Sequence, residues 1–244
     1  MRNKCMTRWF LHLGAFVSCF SPSTRRRFSD IFGKMRILLA TTNKGKIGEL
    51  RLILEHEPFE IIGLDAAAST NEIETGSSFE ENAILKARHY HQLSGLPTIA
   101  DDSGLEVEAL NGAPGVYSAR YGGAGATDEA KIAKLLEVMK DVPEVGRGAR
   151  FTCVAAFVWP RGERVFRGEV QGRILNAPRG TNGFGYDPIF LYQPLGKTFA
   201  EISSDEKTRI SHRGLAFKKM AAWLRESSFL DTPKTGDRIG TTAD

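Results

Sequence analysis

Two adjacent carboxylates, Asp101 and Asp102, follow a short apolar run at residues 98–100 and precede Ser103 and Gly104. β-Branched residues favour strands and Ser-Gly favours a turn, so the pattern predicts a short buried strand that ends on the two aspartates. Side chains alternate along a strand, so the two carboxylates are expected to point to opposite faces. Ligands often bind at the carboxyl ends of strands in α/β chains, and Mg²⁺ prefers oxygen ligands. The alternative is that both aspartates cap a loop, since Asp readily satisfies turn backbone.

A second polar segment, residues 42–46, lies between a predicted buried strand at 36–41 and a predicted helix at 47–54. Such a turn offers backbone N–H groups and a helix N-terminus to an anion, and Lys44 and Lys46 add positive charge. The segment matches neither the GxGxxG fingerprint nor a Walker loop. A plain turn and a phosphate-binding turn are therefore both consistent with it.

A third segment, residues 178–188, combines glycines with aromatic residues. Glycine lets the backbone approach a ligand closely. Phe184 and Tyr186 can each stack on a nucleobase, an interaction worth about 1–3 kcal/mol per base. Asp187 follows them as a hydrogen-bond acceptor. The alternative is a glycine-rich hairpin loop beneath a core aromatic residue.

The elements that must position these segments alternate between strands and helices, which predicts an α/β fold. Ser78 and Glu81 predict a capping box at the start of one helix, and Gly95 predicts its end. Lys86 lies on that helix, where a lysine is usually solvated. Further strands are expected at 59–64, 150–158 and 163–174, with the last two as a hairpin in the sheet of a second lobe, a loop at 65–76, and helices at 127–139 and from 203 to about 224.

The net charge of +4 over 244 residues is unevenly distributed. Residues 1–34 hold seven basic residues and one acidic residue, which is +6 and leaves −2 for the remainder. An acidic body argues against stable nucleic-acid binding, which needs Lys/Arg patches. The apolar run at 9–20 is too short to span a bilayer, so no membrane association is predicted. The segment 1–34 is an over-extended start, a transit peptide or a secretion signal, and in each case the working protein begins near Met35.

The three cysteines form no CxxC motif and no Cys/His cluster, so neither a zinc site nor a disulfide framework is predicted. This cysteine usage fits a cytoplasmic protein. The tail at 227–244 is rich in Pro, Gly and Thr and is predicted to be disordered.

Five stretches, in their order and spacing, resemble the pyrophosphatases of non-standard purine nucleoside triphosphates, the inosine triphosphatase (Ham1-like) family. These stretches are residues 40–46, 78–87, 100–105, 183–188 and 210–214. The resemblance implies an α/β fold with an elongated mixed central sheet, flanking helices and two lobes around an active-site cleft. It also implies a homodimer and a catalytic domain at 35–226, between an N-terminal extension at 1–34 and the tail at 227–244.

The resemblance implies Mg²⁺-dependent hydrolysis of ITP, dITP and XTP to the monophosphate and pyrophosphate, which keeps deaminated purines out of DNA and RNA. It implies Asp102 as general base and metal ligand, and Glu74 as a second metal-site carboxylate. The implied substrate contacts are Thr41, Thr42, Asn43, Lys44, Gly45, Lys46 and Lys86 at the triphosphate, Phe184, Gly185, Tyr186, Asp187, Lys207, His212 and Arg213 at the base, and Ser103 as a further contact.

Two other classes of protein stay open from the sequence. One is a Maf-like nucleotide pyrophosphatase that acts on modified pyrimidines, against which the pair His212 and Arg213 argues. The other is a non-catalytic nucleotide- or RNA-binding protein, against which the acidic body and the carboxylate-centred cleft argue.

Overall fold

A single mixed sheet organises the part of the chain that the computed structural model describes, residues 35–64 and 73–227. Its seven strands within those ranges are β1 Met35–Leu39, β2 Phe59–Gly63, β3 Thr98–Val107, β4 Gly148–Trp159, β5 Gly162–Ile174, β6 Phe190–Tyr192 and β7 Lys197–Thr198. The strand order is β2-β1-β3-β4-β5-β6-β7. β1 pairs in parallel with β2 and β3, and all the later pairs are antiparallel. The predicted mixed central sheet is thus confirmed, and the β4–β5 hairpin belongs to the same sheet as β1.

Five α-helices are described, and a polar side chain caps the start of each one. They are α1 Lys44–Leu54, α2 Phe79–Ser94, α3 Asp128–Val138, α4 Ser204–Ile210 and α5 His212–Glu226. The capping residues are Asn43, Ser78, Thr127, Ser203 and Ser211, and each accepts from the backbone N–H three residues later. A cap of this kind satisfies an N–H group that has no partner within the helix. Local sequence therefore sets where the helices begin.

Helices cover both faces of the sheet. On one face, Leu50 of α1 and Phe217 of α5 are buried in a cluster with Ile37 and Phe157 of the strands. On the other face, Phe79, Ala83, Ala87 and Tyr90 of α2 are buried in a cluster with Ala100. Because alternate residues of a strand face opposite sides, the two aspartates of β3 are presented to different helices.

The predicted end of β3 at the two aspartates is wrong. All ten residues from Thr98 to Val107 pair with β4, so Ser103 and Gly104 lie inside the strand. A Cβ on Gly104 would lie 3.0 Å from Cε1 of Phe79 and closer still to Oγ of Ser118. Gly104 is a glycine because neighbouring groups approach the strand too closely for a side chain. The pairing with β4 outweighs the local preference of Ser103 and Gly104 for a turn.

Two predictions at helix ends also need correction. The predicted last helix is two helices, because Ser211 is extended (φ −72°, ψ 158°), ending α4 and capping α5. The capping box of α2 is half present: Ser78 accepts from the N–H of Glu81, whereas the Glu81 carboxylate accepts from the backbone N–H and the hydroxyl of Ser77. The break at Ser211 matters for the site, since it separates Lys207 from His212.

The predictions for the segment 1–34, for the tail from 228 and for residues 65–72 of the loop lie outside the described residues. Within the described ranges, no helix has the length and apolar character needed to cross a membrane.

Gly168 of β5 lets α5 lie directly against the sheet. A Cβ there would lie 2.6 Å from the backbone nitrogen of Ala216 and closer still to the carbonyl oxygen of His212. Both obstacles are backbone atoms, which cannot rotate away. The first turn of α5, which carries His212, therefore depends on this glycine for its position.

We expect Gly168→Ala to destabilise the protein by about 1–3 kcal/mol, as overpacking against fixed groups does. Each kcal/mol lowers Tm by about 2–4 °C at this chain length. The matched control is Gly48→Ala, in helix α1, where a Cβ meets no atom within 4 Å. That change replaces a poor helix former and leaves stability equal or slightly higher. Equal melting temperatures for both variants in calorimetry would contradict the close approach of α5.

Candidate active site

The two aspartates of β3 face opposite sides, as predicted. Asp101 Oδ2 lies 2.9 Å from Nζ of Lys46, on the side of α1. Asp102 Oδ2 accepts a hydrogen bond of 2.9 Å from Nδ2 of Asn82, on α2. Both carboxylates are almost fully buried. The pair therefore brings two separate polar environments to one point of the sheet.

The Asp102 environment is a carboxylate pair with lysines around it. Lys86 of α2 donates to Glu74 Oε1 at 2.6 Å, and Lys86 is buried rather than solvated. Burial is the main cause that raises the pKa of Asp102 above its ordinary value, the positive charge of Lys46 opposes it, and the negative charge of Glu74 adds to it. A carboxyl group with a raised pKa is a better proton acceptor, which suits a general base.

Asp102 and Glu74 are also the two side chains here that could hold a metal ion. Among the described residues, no cluster of three or more His, Cys, Asp or Glu side chains could hold one. Two carboxylates fit Mg²⁺, which commonly takes one or two protein carboxylates and completes its shell with waters and substrate phosphates. They do not fit a structural zinc site, which needs four N or S ligands.

The turn at residues 41–46 places the N-terminus of α1 beside this centre. The helix begins at Lys44, earlier than predicted, because Asn43 caps it by accepting from the N–H of Lys46 at 3.1 Å. Thr41 in turn accepts from the N–H of Asn43 at 3.2 Å. Thr42 and Lys44 are exposed. A helix N-terminus that carries exposed N–H groups and a lysine is suited to bind phosphate.

A buried ion cluster lies on the other side of β3. Glu49 of α1 pairs with Lys207 of α4 through Oε1 at 2.6 Å and with Arg213 of α5 through Oε2. Lys207 also pairs with Asp187, and Arg213 Nη2 donates to Oγ of Ser103 at 2.8 Å. Burial opposes ionisation of Glu49, but the charges of Arg213 and Lys207 lower its pKa below the ordinary value.

Glu49 is a site residue that the sequence reasoning missed. Its partners Lys207 and Arg213 lie more than 150 residues away, so no local pattern reveals the pairing. The available signal was weak: Glu49 follows Lys46 by three residues on α1, which puts both on one helix face.

The Phe184 loop, residues 183–187, touches this cluster and the turn at residues 41–46. The Phe184 ring centroid lies 4.8 Å from Nζ of Lys207 and 5.6 Å from Cζ of Arg213. A Cβ on Gly45 would lie 2.6 Å from Cδ1 of Phe184, so the ring rests on the first turn of α1. The ring is half-buried, which leaves part of it open to a ligand.

Tyr186 and Asp187 face inward in the same loop. Tyr186 is 4% exposed and donates from its hydroxyl to the carbonyl oxygen of Ser118 at 3.0 Å. Its ring is thus a core aromatic residue, as in the alternative interpretation of this segment. Asp187 accepts from the N–H of Phe184 at 2.9 Å, and burial raises its pKa although the charge of Lys207 opposes the rise.

His212 lies at the start of α5, fully enclosed. Its ring stacks on Phe151, with centroids 4.6 Å apart and planes at 11°. Burial, followed by the positive charges of Arg213 and Lys207, lowers the pKa of His212 well below 6.5. The imidazole is therefore neutral at physiological pH, and its buried Nδ1 has no hydrogen-bond partner in the described structure.

The residues proposed from the sequence thus meet through direct contacts. Gly45 touches Phe184, Lys46 pairs with Asp101, and Arg213 reaches Ser103. The turn at residues 41–46, the carboxylates Asp102 and Glu74, and the Phe184 loop therefore lie close together near the middle of β3. This arrangement can bind an anion at α1, hold a cation at two carboxylates and place an aromatic ring against a planar group.

Comparison with known proteins gives consistent matches. The model of the Ham1 family matches residues 37–223. A dITP/XTP pyrophosphatase from Yersinia pseudotuberculosis is 48% identical over 195 residues, which is 79% of this chain and 99% of the relative. One from Geobacter sulfurreducens is 49% identical over 183 residues, 74% of this chain and 92% of the relative. Among solved structures, the Ham1 protein of Staphylococcus aureus is 44% identical with a TM-score of 0.70 and coverages of 78% and 98%. A Ham1 protein from Coxiella burnetii is 42% identical with a TM-score of 0.73 and coverages of 79% and 100%.

The buried imidazole predicts a pH dependence of stability. Below pH 6.5 the unfolded chain binds a proton at His212 that the folded chain does not bind, so stability falls as pH falls towards the folded pKa. The slope for one such group reaches about 1.4 kcal/mol per pH unit. We expect His212→Gln to remove that slope from urea unfolding free energies measured between pH 7.5 and 5. His56→Gln, at an exposed position, serves as the control and keeps it. An unchanged slope in His212→Gln would contradict the neutral buried imidazole.

Proposed function

This chain belongs to the Ham1 family, and on that premise we propose that it hydrolyses dITP and XTP, and ITP with them, to the nucleoside monophosphate and pyrophosphate. The family resemblance drawn from the five sequence stretches is confirmed. The observation that carries the proposal is the buried Asp102 carboxylate, which accepts from Asn82, with the Lys86–Glu74 ion pair and the N-terminus of α1 close to it. The two alternative classes are not favoured by the family match.

Asp102 is the proposed general base. Asn82 donates to its Oδ2 and the N–H of Ser103 donates to its Oδ1, so the carboxylate is held in one orientation. A carboxylate held this way can accept the proton of a water molecule as that water attacks the substrate phosphorus. The fixed orientation reduces the reorganisation needed when the proton moves.

Mg²⁺ is the proposed cofactor, held by Asp102 and Glu74. When bound, it would offset phosphate charge and polarise the phosphoryl oxygens. Glu74 is suited to this role because, although burial opposes it, the charge of Lys86 lowers its pKa and keeps it ionised. Lys86 therefore also fixes the position of Glu74.

The triphosphate is proposed to lie along the start of α1. Lys46 and Lys86 supply positive charge, and the turn supplies backbone N–H groups. The contacts predicted for Thr41, Thr42, Asn43, Lys44 and Gly45 belong to this part of the proposal. Support comes from the cap at Asn43, which starts α1 at Lys44 and so places the N-terminal end of the helix, where the first N–H groups have no intrahelical partner, at this turn.

The purine is proposed to stack on Phe184, with Lys207, His212 and Ser103 near it. Arg213 has two possible roles: to read the base, or to hold α5 against the sheet. Its contacts with Glu49, Asp101 and Ser103 support the second role without removing the first. Gly185, Tyr186 and Asp187 shape the loop that presents the ring.

The wider roles follow from the family and stay predictions. They are the removal of deaminated purines from the nucleotide pool, a homodimer, a cytoplasmic location and the absence of stable nucleic-acid binding. A catalytic domain at 35–226 belongs with them.

We expect Asp102→Asn to lower kcat for dITP and XTP by about 100-fold or more, because Asn cannot accept the proton of the attacking water. The change in kcat is measured from the rate of pyrophosphate release at saturating Mg²⁺. The matched control is Glu106→Gln, which removes a carboxylate four residues along β3 that pairs with Arg150. Near-normal turnover in Asp102→Asn would remove Asp102 from the catalytic role.

We expect Phe184→Ala to raise KM for dITP, XTP and GTP alike by about 5- to 150-fold, since stacking is worth about 1–3 kcal/mol per base and tolerates base identity. Phe184→Tyr keeps a ring and is the control. Steady-state kinetics with the three substrates decides the outcome. An unchanged KM for dITP in the alanine variant would show that the ring does not touch the base.

A further inference from the structure

Two carboxylates hold the backbone of the Phe184 loop, and they come from different parts of the chain. Asp187 Oδ2 accepts from the N–H of Phe184 at 2.9 Å. Asp128 Oδ2 accepts from the N–H of Gly185 at 2.6 Å, across 57 residues of sequence. These two N–H groups belong to the peptide planes immediately before and after the Cα of Phe184. Fixing both planes fixes the backbone from which the Phe184 ring projects.

The loop needs such fixing because glycines flank its aromatic residue. Gly183 and Gly185 have φ values of 76° and 62°, in the left-handed region that glycine adopts readily. Glycine also reaches many other conformations at little cost, so the loop has no intrinsic preference for this one. The hydrogen bonds to Asp187, within the loop, and to Asp128, outside it, favour this conformation over the others.

Asp128 does more than complement the dipole of α3. Its Oδ1 pairs with Nζ of Lys131 at 2.5 Å, and its Oδ2 accepts from the N–H of Gly185, so each carboxylate oxygen has a partner. Partial burial opposes ionisation, but the hydrogen bonds from Lys131 and Gly185 lower the pKa of Asp128 below its ordinary value. The neighbouring Glu129, in the same first turn, is exposed. Charged acceptors make stronger hydrogen bonds than neutral ones.

The helix that carries Asp128 is firmly attached to the sheet. Ile132 and Leu135 of α3 are buried in the core. Beyond its C-terminal end, buried Arg147 donates to the carbonyl oxygens of Met139 at 2.8 Å and of Ile174, in β5, at 2.9 Å. Through its hydrogen bond with the N–H of Gly185, Asp128 therefore attaches the glycine-rich Phe184 loop to α3, which is itself packed on the core.

We propose that Asp128 is a positioning residue for the substrate base: it holds the Phe184 loop in the conformation that presents the Phe184 ring to the purine. This inference rests on the proposed function. It predicts a defect in binding the base and no defect in the chemical step, because Asp128 contacts neither Asp102 nor Glu74 through any hydrogen bond or ion pair described for it.

The test compares Asp128→Ala, Asp128→Asn and the control Glu129→Ala in the full chain. In Asp128→Ala, we expect KM for dITP to rise about tenfold while kcat stays within about threefold, as expected for losing a hydrogen bond to a charged group. Asp128→Asn keeps an acceptor oxygen for Gly185 and recovers most of the loss. Glu129→Ala behaves as wild type. The second readout is hydrogen–deuterium exchange of a peptide that contains residues 183–187, which becomes faster in Asp128→Ala alone.

Each other outcome overturns the inference in a recognisable way. Equal KM and equal exchange in Asp128→Ala and Glu129→Ala would show that the contact does not hold the loop. Equal falls in kcat, in kcat/KM and in Tm would show a purely structural role for α3. The exchange measurement needs no turnover, so wild-type protein that fails to hydrolyse dITP and XTP would overturn the proposed function while faster exchange in Asp128→Ala would still establish the loop contact.

Discussion

The rest of the site depends on the ion pairs that the buried carboxylate of Glu49 makes with Lys207 and Arg213. This carboxylate compensates Lys207 and Arg213, which enter from two different helices, and all three side chains are less than 10% exposed. A buried ion pair that loses one partner leaves an uncompensated charge, which costs about 3–5 kcal/mol. Helices α1, α4 and α5 can therefore pack together only when these three charges meet. The same packing puts Arg213 against Ser103 and brings Phe184 above the cations.

The two aspartates of β3 are neighbours whose pKa values are shifted in opposite directions, and on the proposed function they have different chemical roles. Burial raises the pKa of both carboxyl groups, but Lys46, Arg213 and Lys86 overcome it at Asp101, whose pKa is lowered. At Asp102 the direct partner is the neutral amide of Asn82, and the pKa is raised. Neighbouring acids whose pKa values are pushed apart mark a division between a charged structural group and a proton acceptor. Alternation along the strand is what allows this division.

Features that depend on local patterns could be predicted from the sequence. These include the opposite faces of Asp101 and Asp102, the cap of α2 at Ser78, the end of α2 at Gly95 and the β4–β5 hairpin. Features that depend on distant partners could not. Ser103 and Gly104 look like a turn, yet β4 pairs with both of them, and Tyr186 looks like a stacking residue, yet its hydroxyl reaches Ser118 in the core. Glu49 and Asp128 looked like ordinary helix residues because their partners lie on other elements.

Helix α1 connects the two ends of the proposed nucleotide site. Its first turn carries the N–H groups proposed to bind phosphate, together with Gly45, on which Phe184 rests, and Glu49 lies one turn further on. The four residues from Gly45 to Glu49 advance about 6 Å along the helix axis. The helix therefore keeps a fixed separation between its first turn and the ion cluster around Glu49. Lys and Arg side chains donate hydrogen bonds and accept none. On the proposed function, the keto oxygen of the purine accepts a hydrogen bond from Lys207. The amino group of adenine is itself a donor and would meet the donor Lys207 without forming a hydrogen bond. Such a mismatch leaves buried polar groups unpaired, which discriminates between bases far more strongly than shape does.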